Sequence, residues 1–137
     1  MSFDIHVQWF DGGLKGRIPV DQVMNAFGDA AVESEPGLAR LEYGESLVSE
    51  LMYSPAGAAV AQVCGVTINR PCRAQALWEA IYELLALGNA VFFFPGSALY
   101  ARSEECWQHV PVDMVEAFAS LEIVSSAEAL VSVLEAS

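Results

Sequence analysis

Basic side chains are scarce in this chain, which has 6 Lys and Arg residues against 18 Asp and Glu residues and a formal net charge of −12. Proteins that bind DNA or RNA neutralise phosphates with Lys and Arg, and a membrane rich in anionic lipids repels an acidic protein. The composition therefore predicts neither a nucleic-acid partner nor a membrane partner. A basic protein would instead be attracted by this charge, although an acidic surface also serves solubility alone.

Cysteine is sparse as well, and the three present, Cys64, Cys72 and Cys106, make an odd number. The first ten residues alternate between polar and apolar and lack the basic and then apolar segments of a secretory leader. Two long uncharged runs, at 51–69 and 84–101, are each interrupted by glycine, proline and polar residues, so neither predicts a membrane-spanning helix. We therefore expect a cytoplasmic protein with reduced thiols.

A chain of 137 residues, 54% of them hydrophobic, is long enough to bury a core without a metal ion or a disulfide. No linker or low-complexity segment divides it. The composition therefore predicts a single domain, 1–137, and requires no cofactor.

Apolar periodicity divides the chain into strands and helices. It predicts strands at 3–9, 38–43, 47–53, 59–69, 91–94, 99–101 and 121–124, and helices that begin near residues 19, 73, 111 and 125. The acidic segment 29–37 is expected to be a loop, 55–57 a turn, and Ser125 with Glu128 a capping box for the last helix. Consecutive strands favour antiparallel pairing, whereas the strand–helix–strand order at 59–94 favours one parallel crossover. The predicted fold is α+β: a mixed, largely antiparallel sheet packed by about four helices.

Candidate catalytic and metal-binding residues are few. Cys106 and His109 form a Cys-x-x-His pair. This pair could be half of a zinc site that Cys64 and Cys72 complete. Alternatively, it could be a thiol nucleophile with a histidine base. No second close pair is present and nothing local marks one thiol as reactive, so we assign no catalytic and no metal-binding residue. The glycine-rich segment 12–16 lacks the spacing of a phosphate-binding loop and is expected to be a turn.

Three further polar residues have expected roles. His6 lies on a strand among apolar neighbours and is expected to be a hydrogen-bonded structural histidine. Arg70 and Arg73 flank a strand-to-helix corner, where we expect them to pair with nearby carboxylates. The alternative for these two arginines is a pocket that binds an anion beside the start of the helix.

Acidic side chains are the feature that points to a function. Those in expected turns and on exposed strand faces are predicted to act together as a negative docking surface, with Trp107 as an aromatic anchor beside them. The predicted partner-binding residues are Glu42, Glu45, Glu50, Glu104, Glu105 and Trp107.

The middle third of the chain resembles small bacterial immunity proteins. The resemblance lies in the corner Thr67-Ile68-Asn69-Arg70-Pro71, the amphipathic helix after it and the strand Val91-Phe92-Phe93-Phe94-Pro95. Proteins of that kind neutralise toxins delivered between competing cells, so the resemblance implies an acidic face that plugs the active site of a basic toxin.

Three functions stay open at this point. The preferred one is a non-catalytic acidic protein-binding module, which the resemblance makes an immunity protein that neutralises a basic toxin. The second is a small hydrolase or transferase that uses Cys106 with His109 or an Arg-lined pocket. The third is a structural module that forms homo-oligomers through a sheet edge or its terminal helix.

Overall fold

Ten strands form one sheet in the computed structural model, which describes residues 3–55, 61–118 and 120–136. The strands are β1 (Ile5–Asp11), β2 (Leu14–Lys15), β3 (Ile18–Pro19), β4 (Ala31–Glu35), β5 (Leu38–Gly44), β6 (Leu47–Pro55), β7 (Gln62–Asn69), β8 (Ala90–Phe93), β9 (Leu99–Ala101) and β10 (Leu121–Ile123). The helices are α1 (Val20–Phe27), α2 (Gln75–Leu84), α3 (Val112–Ala117) and α4 (Ala127–Glu135), with 3₁₀ segments at Gly28–Ala30 and Glu104–His109.

The sheet is mixed but mostly antiparallel. Its strand order is β10-β9-β8-β1-β7-β6-β5-β4, with β2 beside β1 and β3 beside β7. Within the described residues, β9 and β10 are the one neighbouring pair that runs parallel. Strands β7 and β8 are both antiparallel to β1, which lies between them, so the connection through α2 is a parallel crossover that skips one strand. The prediction of an α+β fold with a mixed, largely antiparallel sheet is confirmed.

One face of the sheet packs against α1, α2 and α4. The core on this face joins strand residues such as Ile5 and Trp9 to Leu77 of α2 and Leu130 of α4, all of them buried. Apolar side chains recur along α2 at helical spacing, which turns one stripe of the helix toward the sheet. None of the helices in the described part of the chain is both long and apolar enough to cross a membrane.

The opposite face is covered at one end of the sheet. There Val91, Leu99, Cys106 and Val110 form a smaller buried cluster, with α3 residues Met114 and Val115 packed against it. Toward β4 the same face is exposed to solvent.

Two local predictions are wrong. The segment 29–37, expected to be a loop, contains β4, which pairs antiparallel with β5. An edge strand needs only one partner, and the acidic residues of β4 are exposed, so the apolar alternation that marks a strand is missing. The cap of α4 is Ser126, whose hydroxyl accepts a hydrogen bond from the N–H of Ala129, and not Ser125. Residues 56–60, which hold most of the predicted turn at 55–57 and the start of the strand at 59–69, lie outside the described residues.

Candidate functional site

The uncovered part of the sheet presents an outward surface across β4, β5, β6, β7 and β1. Residues that pair across strands share a face, so the strand register identifies its members. We call this surface the open face; it comprises His6, Val32, Arg40, Glu42, Val48, Glu50, Met52, Thr67 and Asn69. Its apolar side chains are unusually accessible, since Val32 and Val48 are each 43% exposed and Met52 is 47% exposed.

Three of the predicted carboxylates border these apolar residues. Glu42 pairs with Val48 across β5 and β6, and Glu50 pairs with Arg40 on one side and with Asn69 on the other. Glu45 lies in the tight turn between β5 and β6, and all three glutamates are exposed. The structure therefore brings half of the predicted docking residues together at one end of the open face.

The other predicted docking residues lie elsewhere. Glu104, Glu105 and Trp107 belong to the 3₁₀ segment after β9, which reaches the far end of β1 where Gly12 and Gly13 donate hydrogen bonds to His109. In the sheet, β9 lies beyond β8, and β8 is itself four strand spacings from β5, a distance of about 19 Å. Trp107 is half-buried against the smaller cluster. The six predicted residues thus form two separate groups.

The geometry around Cys106 and His109 gives no support to a thiol nucleophile. Cys106 is buried in the smaller cluster, and this burial raises the pKa of its thiol, which favours the unreactive protonated form. The Nδ1 atom of His109 accepts a hydrogen bond of 3.0 Å from the N–H of Gly12 and lies 3.8 Å from a carboxylate oxygen of Asp11. The imidazole therefore holds the turn at 12–13, because the N–H of Gly12 is already used in a hydrogen bond to this side chain.

Metal ligands do not converge in the part of the chain that the structure describes. There, no group of three or more His, Cys, Asp or Glu side chains is arranged to hold a metal ion. Within the described residues, the Cys-x-x-His pair of Cys106 and His109 therefore lacks the further ligands that a zinc site needs.

A corner at the end of β7 is built with more hydrogen bonds than a simple turn needs. The N–H of Arg70 donates to Oδ1 of Asp4 at 3.1 Å, and the hydroxyl of Ser49 donates to the carbonyl of Arg70 at 3.2 Å. The same Ser49 oxygen accepts a hydrogen bond of 2.8 Å from the N–H of Cys72. Ser49 is only 4% exposed, so its own two bonds are partly shielded from water, whereas the bond to Asp4 is exposed.

The corner borders a groove of about 670 Å³, which we call the Arg70 groove. It is lined by Asp4, Arg40, Val48, Ser49, Glu50, Asn69 and Arg70. The prediction that Arg70 and Arg73 pair with nearby carboxylates is wrong, because across the described residues neither guanidinium has a carboxylate oxygen within 4.0 Å. Among the groove residues only Arg70 was singled out by its sequence context as a possible anion ligand.

A row of polar and aromatic side chains continues the open face toward β8. The Nδ1 atom of His6 lies 2.9 Å from Oγ1 of Thr67, so His6 is hydrogen-bonded as expected. The His6 ring stacks on Phe93 with centroids 5.1 Å apart, and Phe93 meets Phe118 edge-on at 5.2 Å. Partial burial lowers the pKa of His6, and the nearby charge of Asp4 opposes this shift.

This pKa shift predicts that His6 destabilises the protein in mild acid. A histidine whose pKa is lower in the folded state than its unfolded value of 6.5 is neutral when folded, so folding opposes its protonation. The associated stability is fully present above pH 6.5 and is lost as the pH falls from 6.5 through the lower pKa of the folded state, with a slope of at most about 1.4 kcal/mol per pH unit. Urea unfolding at pH 7.5 and pH 5.5 measures the change.

The matched variant for this test is His6→Gln, which does not titrate in this range. The remaining titratable groups are the same in both proteins. The difference between the two profiles of unfolding free energy against pH therefore isolates the contribution of His6. Parallel profiles for the wild type and the variant would contradict the assignment.

No family model matches this chain, and the searches of curated proteins and of solved structures likewise found no match. The function must therefore be inferred from the chemistry of the open face and the Arg70 groove.

Proposed function

We propose that this chain is a non-catalytic binding module that receives a cationic protein on its open face. The observation that carries the proposal is the juxtaposition of exposed Val48 and Met52 with the carboxylates of Glu42 and Glu50. Apolar side chains supply contact area, while carboxylates beside them attract and orient lysine and arginine side chains. This is a smaller surface than the one predicted from the sequence, because Glu104, Glu105 and Trp107 lie apart from it.

A second copy of the chain is a poor occupant of this surface. Each copy carries a net charge of −12, so two open faces would bring like charges together. The edge strand β4 adds exposed Glu35, which pairs with Leu38 beside Met52 on the same surface, and this further opposes self-association there. A basic partner meets neither obstacle.

The resemblance to immunity proteins makes the proposal more specific. A protein of that kind protects the cell by occupying a basic toxin, which requires a preformed acidic surface and no chemistry. The buried Cys106 thiol and the His109 imidazole held by Gly12 support a non-catalytic role. We therefore propose inhibition of a basic toxin, in the cytoplasm, as the function of the open face.

The test measures binding of a short lysine-rich peptide to three proteins by isothermal titration calorimetry. Wild-type protein is compared with the triple variant Glu42→Gln, Glu45→Gln and Glu50→Gln, which keeps side-chain size and removes three charges. We expect the triple variant to bind roughly tenfold more weakly, since each exposed ion pair contributes a few tenths to one kcal/mol. Added salt should weaken wild-type binding more than it weakens binding by the variant.

The control is a second triple variant with the same change in net charge, Glu104→Gln, Glu105→Gln and Asp113→Asn. All three residues are exposed and lie outside the open face. We expect this variant to lose less than about threefold in affinity, because the long-range field is the only thing that changes. Equal losses in the two variants would show that the peptide senses net charge alone and would overturn the proposed site.

A further inference from the structure

Arg70 has a backbone conformation that arginine adopts at a cost. Its φ of 47° lies in the left-handed region. A Cβ atom is crowded in this region, whereas glycine, which has no Cβ atom, adopts it without that cost. Among the described residues it is the one residue other than glycine with a positive φ. Glycine would form the same corner with less strain. The benefit of an arginine at this position must therefore come from its side chain.

The surroundings of Arg70 hold this conformation in place. Its N–H donates a hydrogen bond to the Asp4 side chain, and its carbonyl accepts one from the Ser49 hydroxyl. The Ser49 hydroxyl oxygen also accepts a hydrogen bond from the N–H of Cys72. Strained backbone persists only where neighbouring interactions determine it, and such residues cluster at binding sites. The Arg70 side chain therefore extends from a backbone that hydrogen bonds hold at both its N–H and its carbonyl.

Two arginines line the Arg70 groove in a chain that has only 6 basic residues. Arg40 and Arg70 are both exposed, and within the described residues neither has a carboxylate oxygen within 4.0 Å. This holds although Glu50 is the cross-strand neighbour of Arg40. Both guanidinium groups thus keep their hydrogen-bond donors available for a ligand.

We propose that the Arg70 groove binds a carboxylate group of the partner between the guanidinium groups of Arg40 and Arg70. The proposal rests on the proposed function, because the groove shares Arg40, Val48, Glu50 and Asn69 with the open face. A carboxylate matches the planar fork of a guanidinium and carries a single charge. A phosphate dianion would meet twice the repulsion from Asp4 and Glu50, which line the same groove. The partner surface would then present one carboxylate among its cations, and this pattern would select it from other basic proteins.

The test titrates the ¹⁵N-labelled protein with small carboxylates at constant ionic strength and follows backbone amide shifts by NMR. N-acetylglycine represents a chain terminus, propionate represents an acidic side chain, and inorganic phosphate tests the competing anion. We expect saturable shifts at the amides of Ser49, Asn69 and Arg70 with at least one carboxylate, and weaker binding of phosphate. The tighter of the two carboxylates identifies the source.

Two variants carry the argument. Arg70→Gly removes the guanidinium and relieves the backbone strain, so its melting temperature should equal or exceed that of the wild type while carboxylate binding falls about fivefold or more. Arg40→Gln should lose a similar factor. The control is Arg73→Gln, which removes an exposed guanidinium outside the groove and should bind as the wild type does.

Unsaturable shifts, tighter binding of phosphate, or equal binding by Arg70→Gly and Arg73→Gln would each overturn the proposal. The lysine-rich peptide tests the open face separately, since Glu42 and Glu45 lie outside the groove and only Glu50 lines both surfaces. Failure of the carboxylate site alone, with peptide binding intact, would leave the proposed function standing.

Discussion

Replacing Phe92 with alanine should cost about 4 kcal/mol of unfolding free energy. Phe92 is fully buried on β8, and its ring centroid lies 6.1 Å from that of Phe94 and 6.2 Å from that of Tyr100. Removing the ring forfeits its transfer free energy and leaves a cavity that the packed sheet cannot close. Urea unfolding followed by tryptophan fluorescence measures the loss.

The neighbouring residue provides the control, because it points to the opposite face. Phe93 is partly buried and contacts His6 and Phe118 instead of the main core. We expect Phe93→Ala to cost about 2 kcal/mol, since less surface is returned to water. If Phe93→Ala proved the more damaging of the two, the assignment of the main core to the helix-covered face would be wrong.

Local patterns in the sequence were sufficient to predict most of the secondary structure. The alternation at 3–9 locates β1, and the helical spacing from residue 73 locates α2 because one stripe of each element is buried. The same reasoning misses β4, because an exposed edge strand buries no face and so leaves no alternation to read. Local patterns also did not separate Ser126 from Ser125 as the cap of α4, since both precede an apolar run.

The candidate site could be predicted only in part, because it depends on the order of strands. Asp4 and Ser49 bond to Arg70 across separations of 66 and 21 residues. They meet because β1, β7 and β6 are neighbours in the sheet, and no local signal specifies that order. For the same reason the sequence suggested one acidic surface, whereas Glu50 lies on β6 and Glu104 lies in the 3₁₀ segment after β9.

Removing the Ser49 hydroxyl should destabilise the protein by about 2.5 kcal/mol, because the corner then loses two shielded hydrogen bonds. Ser49→Ala leaves the N–H of Cys72 and the carbonyl of Arg70 without the partner that each has in the wild type. The control is Ser34→Ala, in which an exposed hydroxyl loses one bond to the carbonyl of Leu38. Water replaces that bond, so we expect a cost within about 0.5 kcal/mol. Similar costs for the two variants would contradict the structural role of Ser49.

The same substitution tests whether Ser49 maintains the strain at Arg70. In the wild type, Arg70→Gly releases that strain and stabilises the protein. In the Ser49→Ala background only the bond to Asp4 still holds the Arg70 backbone, so the corner can relax further and less strain is left for Arg70→Gly to release. The double-mutant cycle should therefore show a smaller gain from Arg70→Gly in that background than in the wild type. Strictly additive energies would mean that the left-handed conformation of Arg70 is set by the chain around Pro71, and that the buried serine merely fills its hydrogen-bonding capacity.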